Sequence, residues 1–321
     1  MTLLSPDDVA PVKRDLDATL AALDRMLLGR PELHRLVLAG ILARGHILLE
    51  GLPGLGKTAL IRALAQILDL DFKRVQFTPD LMPSDILGSH ILETGPDGNR
   101  AMAFKPGPVF CNLLLADEIN RASPKTQSAM LETMQERTVT LMGVTRPLPK
   151  PFFVLASQNP IELEGTYPLP EAQTDRFIFK LHVSPPDAAT LTAIITTRSH
   201  GDMPESGFSL GRDSLERALD TVGKVLLPEA VANWIGRLVA ATHSAKYVTC
   251  GVSPRAAIAM AESARALALM DGRPSVGFDD VRKVAFPVLN HRLILDYRAK
   301  LDGVDARSVS DGVLESTPVA E

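Results

Sequence analysis

The chain has 321 residues, with 34 Lys and Arg against 38 Asp and Glu, a formal net charge of −4. Hydrophobic residues make up 45% and charged residues 22%, which excludes a mainly disordered chain and allows a sizeable core. The slightly acidic balance argues against a protein that coats nucleic acid, and the length suggests two domains, or one large domain with an appendage.

No leader is visible, because Pro6, Asp7 and Asp8 interrupt any apolar run near the start. Residues 36–52 are the most apolar stretch, but Arg44, His46 and Glu50 break it and it is too short to span a bilayer. Both features predict a cytoplasmic protein. Cys111 and Cys250 lie far apart and read as ordinary thiols of a reducing cytosol.

Residues 8–28 place Val9, Val12, Leu16, Leu20, Leu23 and Leu27 near helical spacing. Gly29 and Arg30 end that helix, and Pro31 can start the next, over 31–43. The run HILLE at 46–50 precedes a Gly-rich turn and reads as a buried strand; a helix follows over 57–68. Strand-like runs recur at 73–77, 113–116, 152–156 and 177–183. Between them lies a helix over 124–136, with Ser123 as its cap and Pro124 at its first position. This alternation predicts an α/β fold, a parallel sheet flanked by helices.

The segment 81–110 breaks the rhythm. It is rich in Gly and Pro, and Pro-Asp-Gly-Asn at 96–99 predicts an inserted hairpin. A second hairpin is expected at 138–148, turning near Gly143. After Pro185 and Pro186 the strand signals stop, and helices follow at about 187–199, 213–224, 229–245, 254–270 and 278–285. The expected division is therefore a core over 1–184 and a small helical lid over 185–302. The tail from Gly303 is polar and aperiodic and is expected to fray.

The run GLPGLGKT at 51–58 fits the phosphate-binding pattern G-x-x-x-x-G-K-[ST]. Gly51, Gly54 and Gly56 let the backbone curl so that several N–H groups converge on one phosphate. Lys57 reaches the β- and γ-phosphates, the Thr58 hydroxyl is a ligand for Mg²⁺, and the helix that starts there adds its positive end. The candidate nucleotide-binding set is Gly51, Pro53, Gly54, Leu55, Gly56, Lys57, Thr58 and Ala59.

In LLLADE, 113–118, a buried strand ends in Asp117, which can hold Mg²⁺ directly or through water. Glu118 beside it can orient and polarise an attacking water. In isolation a helix cap would explain the pair; after a phosphate loop in the same chain the catalytic reading prevails. In VLASQNP, 154–160, Asn159 either hydrogen-bonds the water or γ-phosphate, or belongs to a turn started by Asn-Pro. Arg176, before the last strand, is either functional or a surface arginine paired with Asp175 or Glu171. In VSPRAA, 252–257, Arg255 sits in the first turn of a helix capped by Ser253. A cation is disfavoured there, so an anionic partner such as a phosphate is expected.

GLPGLGKT, LLLADEINRASPKTQSAMLETMQE, FFVLASQNPIELEGTYPLPEAQTDRF and GVSPRA together resemble the MoxR branch of the AAA+ ATPases, over about residues 28–295. The resemblance implies ATP and Mg²⁺ as cofactors, Asp117 and Glu118 as Walker B, Asn159 as sensor 1, Arg255 as sensor 2 and Arg176 as arginine finger. It implies a homo-oligomeric ring, usually a hexamer, in which the finger serves the neighbouring subunit. The two hairpins are similar to the family's helix-2 insert and pre-sensor hairpin, which normally face the central pore. The stretch at 29–35 resembles the segment near the adenine, with Arg30 where the family usually has Gln.

The resemblance implies an ATP-driven chaperone or remodeller that assists assembly or activation of client complexes. These are often metal-containing enzymes, with a von Willebrand factor A partner. Two other readings stand beside it. One is a nucleic-acid-dependent ring motor, for which Arg121, Lys125, Arg137, Arg146 and Lys150 form a discontinuous basic set. The other is a slow ATP-controlled switch or scaffold.

Overall fold

The computed structural model describes residues 4–94, 100–160, 165–197 and 205–319. The turn expected at 96–99 lies outside them. Helix α1 (Pro6–Met26) starts in a capping box: the Ser5 hydroxyl accepts the Asp8 N–H at 3.2 Å, and the Asp8 carboxylate accepts the Ser5 N–H at 2.8 Å. Helix α2 (Pro31–Leu42) follows, then strand β1 (Ile47–Glu50), helix α3 (Lys57–Leu68) and strand β2 (Phe72–Gln76). A short helix α4 (Pro83–Leu87) leads into the inserted hairpin, β3 (Gly88–Thr94) and β4 (Arg100–Pro106). Gly107 is required at its base, because a Cβ there would lie 2.2 Å from the Ile86 carbonyl oxygen and 2.4 Å from the Gly88 nitrogen.

Strand β5 (Leu113–Asp117) runs into a 3₁₀ turn (Ile119–Arg121) and helix α5 (Pro124–Glu136), whose cap is Ser123. The second hairpin is β6 (Thr138–Leu141) with β7 (Val144–Pro147). Strand β8 (Phe153–Gln158), helix α6 (Glu171–Thr174) and strand β9 (Phe179–His182) complete the core. The five-stranded sheet has the order β2-β5-β8-β1-β9, and every pair in it is parallel. Side chains alternate across it. Leu113, Leu115, Phe153 and Leu155 join the cluster on the α1–α3 face, while Leu114, Ala116, Val154 and Ala156 join Met130 and Met134 of α5 on the other. The expected doubly covered sheet is therefore present.

Among the described residues the lid region holds α7 (Ala188–Thr197), α8 (Arg212–Val222), α9 (Glu229–Thr242), β10 (Val248–Cys250), α10 (Pro254–Met270), α11 (Phe278–Leu289) and β11 (Ile294–Leu295). It is not purely helical, since β10 and β11 pair antiparallel. Helices α12 (Tyr297–Leu301) and α13 (Ala306–Ser316) follow.

The last helix corrects the expectation of a frayed tail. Asp305 caps α13, Val309 and Val313 are buried, and the buried Trp234 indole donates to the Thr317 carbonyl at 2.9 Å. Two valines four residues apart in a polar stretch are too thin a stripe to read as periodicity, yet they suffice to dock one helical turn. Residues of α1, α2, α3, α10, α11 and α13 all belong to one continuous apolar cluster. No helix among the described residues is long and apolar enough to cross a membrane.

Candidate nucleotide-binding site

The parallel pairing brings the carboxyl ends of β1, β5 and β8 together, where the crevice of an open α/β sheet lies. The loop after β1 runs through Gly54 and Gly56, whose φ values of 79° and 77° are left-handed and suit glycine. Gly56 is the N-cap of α3, so the first N–H groups of that helix open into the crevice. The resulting cavity, of about 600 Å³, is lined by Pro53 to Ala59, Asp117, Glu118 and Asn159. Arg62, Arg74 and Ser157 line it as well. The Lys57 ammonium lies against the carbonyls of Gly51 and Leu52. Gly51 itself does not line the cavity; it packs against Val183.

Arg74, Gln76 and Ser157 escaped the sequence reading. From β2, Arg74 donates to Asp117 Oδ2 through Nε at 3.1 Å and Nη2 at 2.7 Å. Its Nη2 also reaches Gln76 Oε1 at 2.7 Å, and the Gln76 amide donates to Glu118 Oε2 at 2.7 Å. Arg121 donates to the same oxygen at 3.0 Å. The Ser157 hydroxyl, fully buried on β8, donates to Asp117 Oδ1 at 2.5 Å and accepts the Glu118 N–H at 2.9 Å. Glu118 has φ 55°, a left-handed conformation that costs a non-glycine residue about 1–2 kcal/mol. These bonds hold both carboxylates in a defined pose.

Asn159 is buried next to the end of β8, and its carbonyl lies 3.5 Å from the Asn120 amide. Arg30 bridges the loop to the segment after β9, donating to the Leu55 carbonyl at 2.5 Å and the Ser184 carbonyl at 3.0 Å. Just before the loop, Glu50 accepts from Lys180 at 2.7 Å, and His182 Nδ1 lies 3.0 Å from its other oxygen. Burial pushes the Glu50 carboxyl up, but the hydrogen bonds and charges of His182 and Lys180 outweigh it and hold the group down at about 2.

Arg176 and Arg255 are not in this cavity. They line a second pocket of about 240 Å³, with Asp175, Ile178, Ile258 and Arg292, which shares no lining residue with the first. The Arg176 Nε is buried and has no hydrogen-bond partner among the described residues. Asp175 does not pair with it; its carboxylate meets Arg292 at 2.7 Å and Arg255 at 3.6 Å. That carboxylate is the anion that offsets a cation at the start of α10. Ser253 is the N-cap residue of α10 but makes no side-chain capping bond; its hydroxyl is turned to Asp175, to which it donates at 3.2 Å. The basic set does not converge. Arg121 turns to Glu118, Arg137 donates to the Arg44 carbonyl at 3.2 Å, and Arg146 lies 4.0 Å from the centre of the Phe104 ring.

Residues 46–179 match the ATPase family associated with various cellular activities (AAA), and residues 240–312 match the AAA lid domain. The chain is 40% identical to Chaperone MoxR1 of Mycobacterium tuberculosis, over 95% of this chain and 82% of that one. It is 34% identical to Protein MoxR of Paracoccus denitrificans, over 86% and 87% of the two chains. A crystal structure of a candidate ATPase from Cytophaga hutchinsonii superposes with a TM-score of 0.90, at 38% identity and over 98% of both chains.

Proposed function

The chain belongs to the MoxR group of the AAA+ ATPases, and on that premise we propose that it hydrolyses ATP to ADP and phosphate and uses the cycle to remodel client protein complexes. The observation that carries the reading is one cavity in which Lys57, Thr58, Asp117, Glu118 and Asn159 meet. The glycine loop and the start of α3 cradle the phosphates, and Lys57 leaves its backbone carbonyls for the β- and γ-oxygens. The residues fit Mg²⁺: Asp117 is a buried carboxylate that already draws a cation, Arg74, and Thr58 lines the same cavity. Bound Mg²⁺ would neutralise charge on the phosphates, with Thr58 and Asp117 holding it. Glu118 takes the proton of the attacking water, and Asn159 orients that water against the γ-phosphate.

Subunits of this kind work as oligomeric rings, here as a proposed hexamer in the cytoplasm. Arg176 and Arg255 serve the γ-phosphate of the neighbouring subunit. Their shared pocket, separate from the phosphate loop of the same chain, supports that assignment, as does the absence of an Arg176 ion pair among the described residues. The finer part of the proposal, metal-containing clients recruited with a von Willebrand factor A partner, rests on the family resemblance alone.

The testing experiment separates binding from chemistry. Glu118→Gln should bind ATP as the parent does and turn it over about 10²–10⁴ times more slowly, the range for a lost general base. Parent-like turnover would remove Glu118 from that role.

A further inference from the structure

We propose that Arg292 is a positioning residue for Arg176, a buried clamp by which the lid fixes the arginine that reaches the neighbouring subunit. The proposal rests on the reading of Arg176 as a trans-acting finger and extends it to a residue in another part of the chain. Arg292 follows the end of α11, more than a hundred positions beyond Arg176, and its side chain is only 3% exposed. A guanidinium has five N–H groups, and here five bonds leave it. Nε donates to Asp175 Oδ1 at 2.7 Å. Nη1 donates to the carbonyls of Val288 at 2.6 Å and Ile178 at 3.3 Å. Nη2 donates to the carbonyls of Asp175 at 2.9 Å and Phe177 at 2.6 Å.

Four of those five bonds go to residues on either side of Arg176: its predecessor, its successor and the residue after that. The two residues before Arg292 act on the same segment. His291, kept neutral by its burial, donates from Nε2 to the Phe177 carbonyl at 3.0 Å, and the Asn290 amide donates to the Lys180 carbonyl at 2.9 Å. The Asp175 carboxylate joins Arg292 to Arg255 and to the Ser253 hydroxyl at the start of α10. One buried cation therefore ties the backbone that carries Arg176 to the helix that carries Arg255. An ordinary packing residue in its place would take one donor from each of these carbonyls and leave the Asp175 carboxylate without its buried partner.

Arg292→Lys keeps the charge but loses the planar fork, so it cannot hold the carbonyls around Arg176 together. Its own phosphate loop is untouched. Binding of a fluorescent ATP analogue should be unchanged, while turnover should fall by about 10²-fold, the scale of a misplaced catalytic group. Mixing the variant with Lys57→Ala, which lacks the loop cation, should then regain activity that neither has alone. In mixed rings an intact Lys57 on the Arg292→Lys subunit meets an intact Arg176 on its neighbour. Arg176→Ala is the control in the same mixture. If Arg176→Ala is rescued but Arg292→Lys is not, Arg292 supports its own subunit's fold or site and the proposal is overturned; parent-like turnover of Arg292→Lys also overturns it. Failure of Arg176→Ala to be rescued would instead overturn the finger reading on which it rests. If Arg292→Lys does not fold, Arg292→Gln, which keeps an amide donor but loses the fork and leaves Asp175 and Arg255 in place, is judged by the same outcomes.

Discussion

Ser157→Ala tests the geometry behind Glu118 without touching either carboxylate. The change deletes one oxygen from a fully buried side chain on β8 and leaves no cavity large enough to collapse. It removes the bond to Asp117 Oδ1 at 2.5 Å, of a charged type worth about 1.5–3 kcal/mol. It also strips the Glu118 N–H of its acceptor at 2.9 Å, and a buried donor left unpaired costs about 1–3 kcal/mol. The Glu118 backbone, left-handed at φ 55°, would lose the bond that offsets its strain. With relaxation placing the sum near its lower end, unfolding in urea should show a loss of about 3 kcal/mol. ATP affinity should hold, since the Ser157 hydroxyl is bonded to Asp117 and the Glu118 N–H and not to the phosphate loop among the described bonds, and turnover should fall by about 10-fold or more as Glu118 leaves its pose. A variant within about 0.5 kcal/mol of the parent, with parent-like turnover, would refute the reasoning.

Glu50 predicts a pH dependence. Its folded pKa of about 2 lies below the ordinary 4.5, so its stabilisation is complete above pH 4.5 and is lost as the pH falls through 2. The contribution is at most about 3 kcal/mol, and the stability gap between the parent and Glu50→Gln should shrink by roughly 2 kcal/mol from about pH 6 to about pH 3. A gap independent of pH would contradict the pairing with Lys180 and His182. Removing residues 303–321 should cost at least about 3 kcal/mol and shift the emission of Trp234, the chain's single tryptophan, to the red. An unchanged melting temperature would mean that α13 does not dock. Gly107→Ala should force apart the Ile86 carbonyl and the Gly88 nitrogen and expose the inserted hairpin to limited proteolysis, and resistance like the parent's would count against that close approach.

The sheet was legible because its central strands β1, β5 and β8 are buried on both faces and read as continuous apolar runs, as at 113–116 and 153–156. The phosphate loop was legible because its glycines and Lys57 follow one another in sequence. What stayed hidden is what acts across strands. Arg74 and Gln76 read as the polar alternation of an edge strand, and only the parallel register with β5 brings Gln76 opposite Asp117. Ser157 reads as a small polar residue in a strand. Arg292 could not be read at all, since its five acceptors are mostly main-chain carbonyls, which leave no signature in side-chain identity.

The apolar cluster that runs unbroken from α1 through α3 into α10, α11 and α13 has a mechanical consequence. A lid joined to its core only by a linker can swing, and the free energy of phosphate release is then absorbed as hinge motion inside one subunit. Here such a swing would tear buried hydrocarbon apart, so the folded chain resists it and behaves as a rigid wedge. In the proposed ring, strain produced at the phosphate loop would have to leave through the surfaces the wedge presents to its neighbours. A calorimeter should accordingly record one melting transition for core and lid together.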